Sequence, residues 1–210
     1  MGRPYQILRI DSDTYHENEL AAYTNALILN KNIYVPMYGI PQDTVAFRQW
    51  KEAMPGYTIK PFEFVLAGEP ALREQTKELY QEIGWTGGDA LHCRTRAIWD
   101  PNMIYMSVNR IPAKVPKASS YVLDVILKDY SKGNLVPETL KVIWRIKGKE
   151  EWKELKLATS DIPDHYKASF PGGQAGVTIE YYVTAKSNWG TTPSTMPRTA
   201  PEGFYTFRID

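Results

Sequence analysis

Residues 87–95 read Gly87-Gly88-Asp89-Ala90-Leu91-His92-Cys93-Arg94-Thr95, a Gly-Gly turn followed by a short apolar segment that carries the only cysteine of the chain. A lone cysteine forms no intrachain disulfide. The segment 90–98 predicts a strand, from which a thiolate nucleophile can be presented to a substrate. Strand alternation puts Leu91, Cys93 and Thr95 on one side and His92 and Arg94 on the other. The adjacent His92 is therefore not expected to act as the base for Cys93. On its residues alone, an isolated cysteine reads first as a buried small hydrophobe and only second as a nucleophile.

Outward from this stretch, the chain before residue 110 mixes strands and helices. Residues 4–10 read as a strand and the polar run 11–19 as a loop. Two apolar runs, 26–29 and 33–38, flank Asn30-Lys31-Asn32 and predict a β-hairpin. Pro41-Gln42-Asp43 signals the start of a helix over 42–54, with Val45, Ala46, Trp50 and Ala53 on one face. Pro55-Gly56 ends it, and 57–65 returns as a strand. A second helix is expected over 70–83, where Leu72, Thr76, Leu79 and Ile83 recur at helical spacing, and a further strand over 103–108. This order is that of an α/β domain.

Beyond it the pattern changes. Residues 113–119 (Ala-Lys-Val-Pro-Lys-Ala-Ser) read as a linker. Short alternating strands follow at 120–128, 139–147, 151–158, 165–170, 177–187 and 203–209, separated by turns such as Pro171-Gly172-Gly173 and Thr192-Pro193-Ser194. That spacing predicts an all-β sandwich over 120–210, with Trp144 placed as a central core tryptophan. The paired cysteines of antibody domains are absent, so an immunoglobulin likeness concerns architecture only.

Composition sets outer bounds. Hydrophobic residues make up 43% of 210, enough for a substantial core, and 25 Lys+Arg nearly balance 24 Asp+Glu. That balance gives no general nucleic-acid surface, and no apolar run is long enough to span a membrane. The first residues lack the apolar region of a signal peptide. The basic positions Lys141, Arg145, Lys147, Lys149 and Lys153 are interrupted by acids and read as a solvated sheet face. Gly87-Gly88 and Gly172-Gly173 lack a phosphate-binding signature and read as turns. Tyr181, Tyr182 and Trp189 fit either partner binding or sheet packing.

The stretch around Cys93 resembles the nucleophile strand of the guanidine-modifying deiminases of the pentein (α/β-propeller) fold, namely agmatine deiminases and bacterial, Porphyromonas-type peptidylarginine deiminases. Three further segments match in order: Gly2-Arg3-Pro4; Ala22-Tyr23-Thr24-Asn25-Ala26-Leu27, similar to a Ser-Tyr-Val-Asn-Phe segment; and Ile33-Tyr34-Val35-Pro36-Met37-Tyr38-Gly39, similar to Val-Pro-x-Phe-Gly. Leu-His-Cys-Arg-Thr is closer to the peptidylarginine branch, which also carries an immunoglobulin-like domain after its catalytic domain.

The resemblance implies a partial pentein domain over 1–112, a linker at 113–119 and an immunoglobulin-like β-sandwich over 120–210. It implies that Cys93 attacks the guanidinium carbon of a peptidyl-arginine, releasing ammonia and leaving citrulline, with no metal or other cofactor. Asn25 is carried over as a contact to substrate or nucleophile; its other reading is a polar cap at a strand end. The family's His-x-Asp pair and a further acidic residue precede the Gly-Arg-Pro lead-in, and none of His16, His92 and His165 is followed by Asp at the second position. The chain is thus expected to be the C-terminal part of such an enzyme, inactive without a complementing N-terminal part. A secreted or cell-envelope location follows from the resemblance alone. An agmatine deiminase-like hydrolase is the alternative within the class. A non-catalytic binding or structural module built on the sandwich is the alternative outside it.

Overall fold

The computed structural model of the chain describes residues 7–16, 19–63, 90–93, 95–96, 100, 103–190 and 192–210. These residues are mostly β-sheet with a single α-helix among them. They divide into two compact units, Gln6–Ile98 and Trp99–Asp210.

In the first unit, β1 (Thr14–His16) and β2 (Glu19–Leu20) form a short antiparallel ribbon inside the polar run expected as a loop. Residues 7–10, expected as strand, are irregular. The expected hairpin is present as β3 (Leu27–Leu29) and β4 (Asn32–Pro36). Its turn holds two residues rather than three. Asn30 and Lys31 take φ of 47° and 63°, the left-handed pair that matches the twist of a two-residue hairpin. Next comes α1 (Gln42–Ala53), which turns Asp43 and Ala46 inward. It returns the chain to β5 (Thr58–Phe62), parallel to β4, so the sheet order is β3-β4-β5. Tyr23, Ile33, Val35 and Ala46 make the core, with Phe47, Trp50 and Ile59 packed against it. The helix expected over 70–83 lies outside the described residues.

The strand expected over 90–98 is not found in its described part. Leu91, His92 and Cys93 form a turn, closed by Thr95 N donating to the His92 carbonyl at 3.3 Å. The alternation used to separate His92 from Cys93 therefore does not apply. Ala90 and Leu91 are instead the buried anchors of that turn, seated on Tyr15, Leu27, Tyr34 and Tyr38.

The second unit holds β6 (Ile104–Asn109), β7 (Lys114–Val115), β8 (Ser120–Asp129), β9 (Lys141–Ile146), β10 (Lys153–Lys156), β11 (Ala158–Thr159), β12 (His165–Pro171), β13 (Thr178–Ala185), β14 (Ser194–Met196) and β15 (Tyr205–Ile209). One sheet runs β11-β12-β8-β6; the other runs β10-β9-β13-β15-β7, with β14 also on β13. All pairs are antiparallel except β15 with β7.

Period-two alternation does the sorting. Tyr121, Leu123, Val125 and Leu127 of β8 are buried while Val122 and Lys128 are exposed. The two sheets supply a single core in which Phe170 meets the rings of Trp144, Tyr181 and Phe207 at 5.9, 5.2 and 5.4 Å. Residues 113–119, expected as a linker, are tied into this unit. Arg208 N and Asp210 N donate to the Ala113 and Val115 carbonyls, and Ala118 N donates to the Tyr121 hydroxyl.

Candidate active site

Asn25 and Cys93 are 68 positions apart in sequence and directly bonded in the structure. The Asn25 amide Nδ2 donates to Cys93 Sγ at 2.9 Å, and its Oδ1 accepts from Cys93 N at 3.1 Å. The Asn25 carbonyl also accepts from His92 N at 3.2 Å. One residue thus clamps the 91–93 turn through three bonds, two of them from its side chain. The thiol itself is exposed, which removes the reading of Cys93 as a packed core residue. Free thiols in folded proteins are usually buried, whereas this one is exposed and bonded to a side-chain amide.

The sheet explains why Asn25 arrives there. The segment Ala21–Asn25 enters β3 as a turn closed by Asn25 N donating to the Ala22 carbonyl at 2.9 Å. Ala22 N donates to the Tyr38 hydroxyl at 2.9 Å, and Trp50 Nε1 donates to the Tyr23 carbonyl at 3.1 Å. The Tyr23 hydroxyl donates to Asp43 Oδ1 at 2.6 Å. Tyr23 and Asp43 are only 1% and 5% exposed. The Asp43 carboxylate also accepts from the backbone N–H groups of Tyr38, Gly39 and Ile40 at 3.1, 2.9 and 3.3 Å. Asp43 therefore does more than signal the start of α1: it fixes the 38–40 bend and the 21–25 turn together.

Burial raises both tyrosines. Burial first, then its hydrogen bond to Asp43, holds the Tyr23 hydroxyl far above the ordinary phenol range. Burial pushes Tyr38 up to about 12, against the opposing donation from Ala22 N. Both hydroxyls are thus neutral at physiological pH.

Of the histidines, His92 is an exposed member of the turn that carries Cys93, and His165 is half-buried in β12 of the second unit. His16 lies in β1. Both basic residues of β9 are in ion pairs. Lys141 meets Glu154 at 2.6 Å, and Arg145 meets Glu180 at 2.7 Å while its guanidinium lies 4.3 Å from the centre of the Trp152 ring. Tyr181 is core, whereas Trp189 is exposed. Gly172 N donates to the Ser119 carbonyl at 2.8 Å, which extends the β12–β8 ladder past Pro171; Gly172 and Gly173, expected as a turn, are irregular backbone at the strand end. Gly87-Gly88 lies outside the described residues. Among the described residues no helix is long and apolar enough to cross a membrane.

Sequence reasoning reached Asn25 and Cys93 separately and missed the supports Tyr23 and Asp43. The available signal was Tyr23 within the quoted Ala22–Leu27 segment, together with an acidic residue two positions after Pro41. Residues 1–66, which hold Asn25, Tyr23 and Asp43 and stop short of Cys93, match the model of the Porphyromonas-type peptidyl-arginine deiminase family, a partial match that supports the resemblance read from the sequence.

Proposed function

We propose that the Asn25–Cys93 pair is the nucleophilic half of a cysteine-dependent deiminase site acting on peptidyl-arginine. The observation that carries the proposal is the reciprocal bonding of Asn25 to the sulfur and backbone of an exposed Cys93. The family match over residues 1–66 supports a guanidine as the substrate class.

The chemistry proceeds in two steps. The Cys93 thiolate adds to the guanidinium carbon, and the bond from that carbon to a terminal nitrogen breaks. The nitrogen takes a proton from an acid and leaves as ammonia. Water then adds to the Cys93-bound thiouronium, giving one proton back to the acid of the first step and one to solvent, the carbon–sulfur bond breaks, and citrulline and the thiolate are released. Covalent catalysis divides one difficult hydrolysis into two easier steps. Asn25 fixes the direction of sulfur attack, and such positioning carries much of the rate in reactions of this kind.

The acid for the leaving ammonia and the carboxylates that grip a guanidinium are further requirements. The sequence contains no His-x-Asp. In this reading those groups come from a complementing segment, and the 210 residues alone turn over no substrate. The first unit is read as part of a pentein-type domain. The second is read as an immunoglobulin-like β-sandwich, a reading supported by its two sheets over one core around Trp144 and Phe170.

The test measures citrulline formed from a peptide ending in arginine, and from agmatine, with and without a segment that carries His-x-Asp. Activity only with that segment, lost in Cys93→Ala, is the expected result. Preference for agmatine would reassign the substrate. Robust turnover by the 210 residues alone, or full activity of Cys93→Ala, would overturn the reading.

A further inference from the structure

We infer that Tyr23, backed by Asp43 and Trp50, is the positioning residue of the Cys93 site: it sets Asn25, and Asn25 sets the sulfur. The inference rests on the reading of Asn25–Cys93 as a reactive pair and adds residues that never touch the thiol.

The turn that delivers Asn25 is gripped on both sides of Tyr23. Upstream, Ala22 N is held by the Tyr38 hydroxyl at 2.9 Å. At Tyr23 the carbonyl is held by Trp50 Nε1 at 3.1 Å and the hydroxyl by Asp43 at 2.6 Å. Asp43 is in turn fixed by three backbone N–H groups of the bend that leads into α1. Tyr23 lies edge-on to Tyr38, ring centres 5.4 Å apart. Asn25 follows two residues later, and its amide has one orientation that both donates to Sγ and accepts from Cys93 N. A side chain making two such bonds at once tolerates little drift of its own backbone, since hydrogen bonds weaken steeply with misalignment.

The experiment uses the full chain, in which Cys93 is the only thiol and any alkylation reports on it alone. Iodoacetamide labelling is timed at neutral pH for the parent, Asn25→Ala, Tyr23→Phe and the double variant. Asn25→Ala defines the direction and size of the change when the amide is lost. Tyr23→Phe removes one oxygen from a buried site and shifts the labelling rate in that same direction, by about threefold to tenfold, the worth of one hydrogen bond. The double variant labels at the rate of Asn25→Ala alone, because Tyr23 acts only through Asn25.

A purely structural role of Tyr23 gives independent, multiplying effects in the double variant, and that result overturns the inference. Unchanged labelling in Tyr23→Phe with a clear change in Asn25→Ala overturns the inference while leaving the reactive pair intact. Unchanged labelling in Asn25→Ala overturns both. Should Tyr23→Phe fail to fold, Trp50→Phe, which removes the bond to the Tyr23 carbonyl together with part of the ring packed on the core, carries the same expectations.

Discussion

Replacing Asp43 by alanine is the sharpest test of how the first unit holds its site. Asp43 is 5% exposed and receives the Tyr23 hydroxyl and three backbone N–H groups. Without the carboxylate, the Tyr23 hydroxyl is left in a side chain 1% exposed. A buried donor stranded in this way costs about 1–3 kcal/mol. The amides of residues 38–40 belong to half-buried or exposed residues and regain bonds to water. Each of those therefore costs only its net value, about 0.5–1.5 kcal/mol. The expected destabilisation is about 2.5–7.5 kcal/mol, among the large effects of single substitutions. Asp43→Asn keeps one acceptor but turns an NH2 group toward N–H donors, and about half the loss is expected. Hydrogen exchange of the β4 amides in the full chain reads the effect. Asp43→Ala speeds it by roughly two to five powers of ten, at tenfold per 1.4 kcal/mol. A change of less than about 1 kcal/mol would refute the view that this carboxylate organises the bend and the Asn25 turn.

Other expectations concern pH, packing and charge. Tyr23 and Tyr38 titrate higher in the folded chain than in the unfolded one. Their contribution to stability is complete below about pH 10 and is lost as pH rises toward about 12, the value for Tyr38; alkaline unfolding followed by circular dichroism checks this, and Tyr38→Phe flattens the dependence. In the second unit a Cβ on Gly172 would lie 2.5 Å from the Ala118 carbonyl oxygen and 2.8 Å from that of Ser119. Both are backbone atoms, so Gly172→Ala lowers the stability of that unit by about 1–3 kcal/mol in urea unfolding. Arg145→Met leaves the Glu180 carboxylate, 7% exposed, without its partner and lowers stability by about 2–4 kcal/mol; Glu180→Gln has a smaller effect because no buried charge remains.

The parts of the fold legible in the sequence were those governed by local rules. Asn30-Lys31 between two apolar runs marks the hairpin because few residues enter the left-handed region readily, and Asn is one of them. The 3.6-residue spacing from Gln42 to Ala53 marks α1, and alternation along β8 and β13 marks two strands that each bury one face. The failures share a cause, since each depends on a partner far along the chain. Residues 91–93 carry a strand-like apolar pattern, yet the Asn25 clamp and the seating of Leu91 on Tyr15, Leu27, Tyr34 and Tyr38 impose a turn. β7 is two residues within a proline-containing stretch and exists because β15 offers it an edge. The β1–β2 ribbon has no apolar alternation to announce it. For the site, periodicity located neither Asn25 nor its contact with Cys93. Only the family resemblance singled Asn25 out, and Asp43 was legible as a helix-start residue but not as the acceptor of four donors.

The central claim is that Cys93 attacks a guanidinium carbon, and the covalent intermediate tests it most directly. The chain, combined with a segment carrying His-x-Asp, is mixed with a peptide ending in arginine, quenched in acid and analysed by peptide mass spectrometry. The account predicts an adduct on Cys93 equal to the substrate less ammonia, absent in Cys93→Ala and lost as citrulline accumulates. Citrulline forming while Cys93 stays unmodified throughout, or forming equally well in Cys93→Ala, would contradict it.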